Sequence, residues 1–140
     1  MRWLIAVLAL AGVVFSGLAL QVHYSTHTEA CSINAQWDCG VVNHSPFAVI
    51  GPVPVAVLGI LGYLAIAAFG MMRLRFTLLL TIAAGFLFAF RLSMIEEFAL
   101  GVWCLYCVIS QGIIALLLLL SLGWFAAEYW RLRRATERLI

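Results

Sequence analysis

Apolar runs covering residues 3–21, 47–72, 76–95 and 102–127 make up most of the chain. Each is close to the roughly 20 residues that a helix needs to cross a hydrocarbon core. Polar stretches separate them: residues 22–46, a turn carrying Arg73 and Arg75, and a connection carrying Glu96 and Glu97. Trp124, Tyr129 and Trp130 close the last run as an interfacial aromatic belt would. The pattern predicts an all-α integral membrane four-helix bundle, a single domain over residues 1–140.

Composition removes the soluble alternatives. Hydrophobic residues make up 66% of the 140 and charged residues 10%, against roughly 45–50% and about 25% in soluble domains. A fold of this length cannot hide so much apolar surface from water, so its solvent is lipid. A net charge of +2 gives no electrostatic footprint for nucleic acid.

All 8 basic residues are arginines, and their placement sets an orientation. Arg73 and Arg75 fall between the second and third runs, and Arg131, Arg133, Arg134 and Arg138 fall in the tail. Residues 22–46 contain Glu29 and Asp38 but no Lys or Arg. Positive-inside bias then puts both termini in the cytoplasm and both acidic loops outside. Arg91, late in the third run, is read as snorkelling to the outer interface. A cleaved signal peptide ending near Ala19 is the alternative for the first run. That run exceeds the usual ~7–15-residue apolar region, and its loss would leave an odd number of spans.

Every cysteine maps to the outer side, where disulfides persist. Cys31 and Cys39 sit in the first loop, and Cys104 and Cys107 form Cys-Leu-Tyr-Cys at the start of the last run. Residues i and i+3 share a helix face, so Cys104 and Cys107 are expected to approach closely enough to bridge. So short a ring gains little chain entropy and is a poor staple. It is a good redox couple, because a helix N-terminus stabilises a thiolate. Cys107 lies one turn deeper, about 4.5 Å by helical rise. Gln111, four residues further on, shares its face; an amide at that depth is expensive unless it meets ligand or protein. An interhelical hydrogen bond is the competing reading for Gln111.

Blander readings stand beside these. Cys31 and Cys39 suit a structural disulfide as well as a redox one, and Cys104 and Cys107 could be free structural cysteines. A zinc site from His23, His27, Cys31 and His44 is conceivable by ligand type, but its spacing matches no standard finger. Ser45 before Pro46 reads as a helix N-cap with Pro at the first helical position.

Together these residues resemble the vitamin K epoxide reductase family in its short bacterial-type form. The resemblance rests on Cys31-x7-Cys39, then Ser45, then Pro54-Val-Ala-Val-Leu-Gly59 with Gly62-Tyr63, then Trp103-Cys-Leu-Tyr-Cys107. The DsbB family shares the four-span plan, but its C-x-x-C lies in the first outer loop, whereas here it opens the last helix. Pro52 stands where the family usually has glycine, so a different helix start is expected there. Gln111 stands where vertebrate members have a tyrosine that contacts the quinone.

The resemblance implies a quinone-dependent thiol oxidoreductase that reoxidises a thioredoxin-like partner in disulfide-bond formation. Cys31 would receive electrons from the partner, Cys39 would attack Cys104, and Cys107 would face a quinone of the menaquinone, ubiquinone or vitamin K type. Gln111 and Ser45 are the expected quinone contacts. No thioredoxin-like domain is expected within the chain, so the partner would be a separate protein on the outer face. The implied location is a prokaryotic inner (plasma) membrane, in preference to the endoplasmic reticulum. The competing class is a non-catalytic four-span interaction protein with a disulfide-stapled loop.

Overall fold

The computed structural model describes residues 1–26 and 31–140; His27 and Glu29 lie outside the described residues. Helices α1 (Arg2–Tyr24), α2 (Cys39–Asn43), α3 (Val55–Met71), α4 (Arg75–Ile95) and α5 (Leu105–Glu137) carry the chain. By length and composition α1, α4 with its continuation to Leu100, and α5 are each able to cross a membrane. α3 is a shorter apolar helix of 17 residues, about 25 Å long, at the lower end of the spanning range.

The second apolar run is therefore not one helix from residue 47. Its first part forms a 3₁₀ turn over Pro46–Ala48 and a hairpin, β1 (Val49–Ile50) against β2 (Val53–Pro54). Pro52 and Pro54 lack the N–H that an interior helical residue must donate and clash with the preceding turn. Gly51, at φ 61°, supplies the positive φ that a two-residue primed hairpin turn needs at its first central position. The helix starts only past Pro54, which occupies the N-cap of α3. α5 extends further than expected, to Glu137, and its last turn carries an i,i+4 pair, Arg133–Glu137, at 3.3 Å.

The helices close a ring in which α1 and α4 each pack against both α3 and α5. Neighbours run antiparallel: along the α1–α3 seam Ile5 meets Gly70, Gly12 meets Tyr63 and Ser16 meets Gly59. A Cβ at Gly12 would collide with the Tyr63 ring, and one at Gly59 would lie 2.8 Å from the Ser16 hydroxyl. In lipid, helices associate through such close van der Waals packing of small residues rather than through apolar burial. The exposed outer faces are accordingly apolar, with Trp3, Val7, Leu10, Leu87 and Leu119 turned outward. The interior holds Ile5, Ala9, Ile66, Leu78, Ile82 and Leu117.

Each end of the bundle has its own chemistry. Between α3 and α4, Leu74 N donates to Phe69 O (3.1 Å) and Arg73 N to Gly70 O (3.3 Å). This is a Schellman cap with Arg73 at φ 59° in the place that glycine usually takes. Nearby, Arg75 pairs with Glu128 at 2.9 Å and stacks over Trp124, its guanidinium 5.0 Å from the ring centroid. The opposite end gathers the cysteines.

Candidate functional site

The loop after α1 is shaped by its own short polar side chains. Asn34 Oδ1 accepts from the backbone N–H groups of Gln36 (2.8 Å) and Trp37 (3.1 Å), turning the chain. Asp38 caps α2, accepting from Gly40 N (2.9 Å) and Val41 N (3.2 Å), and also receives the Ser32 hydroxyl at 2.9 Å. α2 is fastened to the end of α1 by histidines. His23 Nδ1 donates to Asn43 O (2.6 Å), while the His44 ring nitrogens lie 2.8 Å from Gly40 O and 3.0 Å from Ser25 O.

A backbone bridge then docks this loop onto the segment before α5. Asp38 N donates to Trp103 O (3.0 Å), Trp103 N donates to Gln36 O (2.7 Å), and the two indoles of Trp37 and Trp103 lie beside each other. Because Cys39 follows Asp38 and Cys104 follows Trp103, the bridge sets the two cysteines side by side. Cys31 and Cys39 form a disulfide with a Cα–Cα distance of 5.8 Å, inside the usual range. Cys104 and Cys107 are free thiols. Cys104 Sγ lies 3.4 Å from Cys39 Sγ, and both residues are fully buried.

Cys104 is not the helical i partner that the C-x-x-C spacing suggested. It is the N-cap of α5, with extended backbone, and its sulfur accepts the Cys107 N–H at 3.3 Å. Asn43 Nδ2 donates both to Cys39 O (2.9 Å) and to Cys104 Sγ (3.4 Å). A helix N-terminus and an amide donor favour the thiolate form of the residue they surround.

Asn43 was not legible as a site residue in the sequence; its only signal is a position one turn after Cys39. Glu96 was legible only as an acidic loop residue. It begins a π-helical turn, Glu96–Leu100, that ends at Gly101 in the left-handed region. The turn carries Glu96 inward, where it is 4% exposed, and its Oε2 accepts Cys104 N at 3.1 Å. Glu96 and Cys107 line the same cavity. The adjacent Glu97 stays outside, accepting the Trp103 indole N–H at 3.1 Å.

Beneath the cysteines a cavity of about 190 Å³ opens between α1, α3, α4 and α5. Its walls are mainly apolar, with polar groups from Asn43, Ser45, Tyr63, Glu96, Cys107 and Gln111. Cys107, unlike Cys104, lies on this wall. Gln111 faces it as well, and its Oε1 is buried without a hydrogen-bond partner among the described residues. Ser45 precedes Pro46 at the cap position, yet its hydroxyl makes no capping bond and donates to Val42 O at 2.7 Å. Tyr63 closes the floor, its hydroxyl 2.7 Å from Ser110 O and 2.8 Å from Ser110 Oγ. Arg91 is exposed on α4 and does not line the cavity. Among the described residues no cluster with metal-ligand chemistry forms; Cys31 is committed to its disulfide and His23 and His44 to backbone carbonyls.

No curated protein matches the chain. A sequence model of the vitamin K epoxide reductase family matches residues 3–122. The match runs through both cysteine pairs and all the long helices: the chain belongs to the vitamin K epoxide reductase family.

Proposed function

We propose that the chain is a quinone-dependent thiol oxidoreductase that reoxidises a separate thioredoxin-like partner and so supports disulfide-bond formation. The observation that carries this reading is the contact of Cys104 Sγ with Cys39 Sγ at 3.4 Å, beside a cavity whose wall holds Cys107. Family membership implies quinone-linked thiol chemistry, and the 3.4 Å sulfur contact supports exchange between the two pairs.

The relay begins when a partner thiolate attacks Cys31, breaking the Cys31–Cys39 bond and releasing Cys39 as a thiolate. The partner's second thiolate then frees Cys31, leaving the partner with a disulfide. Cys39 attacks Cys104 of a Cys104–Cys107 disulfide, and Cys107 leaves. Cys31 attacks Cys39 in turn, remaking the loop disulfide and freeing Cys104. Each step exchanges one S–S bond for another through a mixed disulfide. The result is an oxidised loop above a Cys104/Cys107 dithiol, which is the state of the described structure.

A menaquinone, ubiquinone or vitamin K-type quinone would supply a two-electron, two-proton acceptor. The cavity is smaller than the ~300–1,000 Å³ of pockets for drug-sized ligands, which suits one ring system with its tail outside. The Gln111 amide, whose Oε1 is buried without a partner among the described residues, fits the group in both redox states, since its N–H can donate to a quinone carbonyl and its Oε1 can accept from a hydroquinone O–H. Ser45, whose hydroxyl proton is already given to Val42, has its oxygen left to accept. The apolar walls exclude water around the reacting sulfur.

The arginine distribution supports an orientation with the cysteines outside and both termini inside, and the resemblance to the short bacterial-type form supports a prokaryotic plasma membrane. The deciding experiment is quinone reduction by purified protein supplied with a reduced thioredoxin-like donor. Stoichiometric appearance of hydroquinone and donor disulfide is expected. No reduction with any of the three quinone types would leave the stapled, non-catalytic four-span protein as the better reading.

A further inference from the structure

We propose that Glu96 is the proton acceptor of Cys107, taking the thiol proton whenever Cys107 closes a disulfide with Cys104. The inference rests on the relay just described but concerns a residue that the relay does not use. Glu96 is a carboxyl group 4% exposed at the end of an apolar helix. An ionisable group in such a place is costly and needs a partner that accounts for it. Among the described residues no basic side chain fills that role, since the ion pairs there are Arg75–Glu128 and Arg133–Glu137. Its surroundings are the reacting residues themselves: its Oε2 accepts Cys104 N at 3.1 Å, and it lines the same cavity as Cys107. A π-helical turn breaks the regular helix at this point and carries Glu96 inward while the adjacent Glu97 remains exposed. The backbone is therefore arranged for one carboxyl and not the other.

The chemistry balances. Only a thiolate attacks a disulfide, and Cys107 lines a mainly apolar cavity in which Glu96 is the carboxyl able to take its proton. The Cys107 S–H proton passes to the Glu96 carboxylate. The Cys107 thiolate attacks Cys104 of the Cys39–Cys104 mixed disulfide, the Cys104–Cys107 bond forms, and Cys39 leaves as the thiolate. In the reverse direction Glu96 returns the proton to Cys107 as it is expelled. Cys104 N–H holds the carboxylate in line through both directions.

The test needs no quinone. Purified protein with an oxidised loop and a reduced Cys104/Cys107 pair is allowed to exchange internally, quenched with acid at intervals, and its disulfides are mapped by mass. Glu96→Gln keeps an acceptor for Cys104 N but cannot take a proton. It is expected to accumulate the Cys39–Cys104 link and to slow Cys104–Cys107 closure by about 10²-fold, the lower end for loss of a general base. Glu96→Asp should recover much of the rate. In a Cys107→Ser background, Glu96→Gln should form the Cys39–Cys104 link as readily as the parent, because that step does not involve Cys107. Closure at the parental rate in Glu96→Gln would overturn the proposal. Loss of the link in the Cys107→Ser background would overturn it too, by making Glu96 a structural residue. If closure responds to Glu96 as stated while the unaltered protein reduces no quinone, the functional reading fails and the proton assignment stands.

Discussion

Cys104 Sγ touches Cys39 Sγ at 3.4 Å although the two residues lie 65 positions apart in the chain. The contact is made by the backbone bridge between Trp37 and Trp103, which fixes the register of one cysteine loop against the other. It places the first loop's disulfide against the cap of α5 on the side away from the cavity wall, where Cys107 lies.

On the proposed relay, Cys107 is the resolving cysteine. Cys107→Ser is expected to trap a mixed disulfide between Cys39 and Cys104, because nothing remains to release the loop from Cys104. Mass mapping of the non-reduced protein checks it. A Cys31–Cys104 cross-link instead would reverse the order within the loop, and no cross-link at all would make the exit assignment wrong.

The loop pair should matter only to the protein donor. Cys31→Ala or Cys39→Ala is expected to abolish turnover with a thioredoxin-like protein while sparing turnover with a small dithiol that reaches Cys104 and Cys107 directly. Parallel rate measurements with the two donors decide this, and equal loss with both would give the loop pair a different role.

Asn43 should govern the exchange between the pairs. Its amide donates to Cys104 Sγ, and a hydrogen bond to a charged group is worth roughly 1.5–3 kcal/mol. Asn43→Ala is expected to slow formation of the Cys39–Cys104 link by about ten-fold or more, read by acid quench in the Cys107→Ser protein. An unchanged rate would show that the amide does not stabilise the attacking sulfur.

Gln111 should act on the ligand alone. Gln111→Leu is expected to weaken quinone affinity by about one buried hydrogen bond, on the order of 1–2 kcal/mol, with the loop exchange unaltered. Equilibrium titration with quinone, paired with the quench assay, separates the two effects.

The α1–α3 seam should be intolerant of added volume. Gly12→Val drives a side chain into the Tyr63 ring, and overpacking of this kind costs about 1–3 kcal/mol. Tyr63→Phe removes only the hydrogen bonds to Ser110, a loss of roughly 0.5–1.5 kcal/mol for one such bond. Reversible unfolding in detergent is expected to rank Gly12→Val as the more damaging change. The opposite order would mean that the seam relaxes around the new side chain.

Much was legible along the chain because lipid imposes a simple rule. An apolar run near 20 residues must satisfy its backbone internally and becomes a helix, so α1, α4 and α5 could be read directly from residues 3–21, 76–95 and 102–127. Cys104, Cys107 and Gln111 could be singled out for the same reason: polarity and reactive sulfur at a helix mouth stand out against a lipid-facing background. The segment from Pro46 to Pro54 was misjudged as helix because its hydropathy is that of a span. Local backbone chemistry, Pro52, Pro54 and a positive-φ Gly51, overrode composition there.

The family resemblance implied that Cys39 would attack Cys104, but only the tertiary structure decided how the two meet and what surrounds them. Spacing brought Cys104 and Cys107 together as a pair, but not Cys39 and Cys104, whose approach depends on one strand-like bridge between distant tryptophans. Asn43 and Glu96 carry no motif that marks them. They meet Cys104 because a five-residue helix carries the Asn43 amide to its Sγ and a π-helical turn carries the Glu96 carboxyl to its backbone N–H. Sequence determined the solvent, the helices and the reactive atoms, since these follow from local hydropathy and residue type. The site itself required long-range contacts, since hydrogen-bond partners and access to a cavity depend on how separate elements dock.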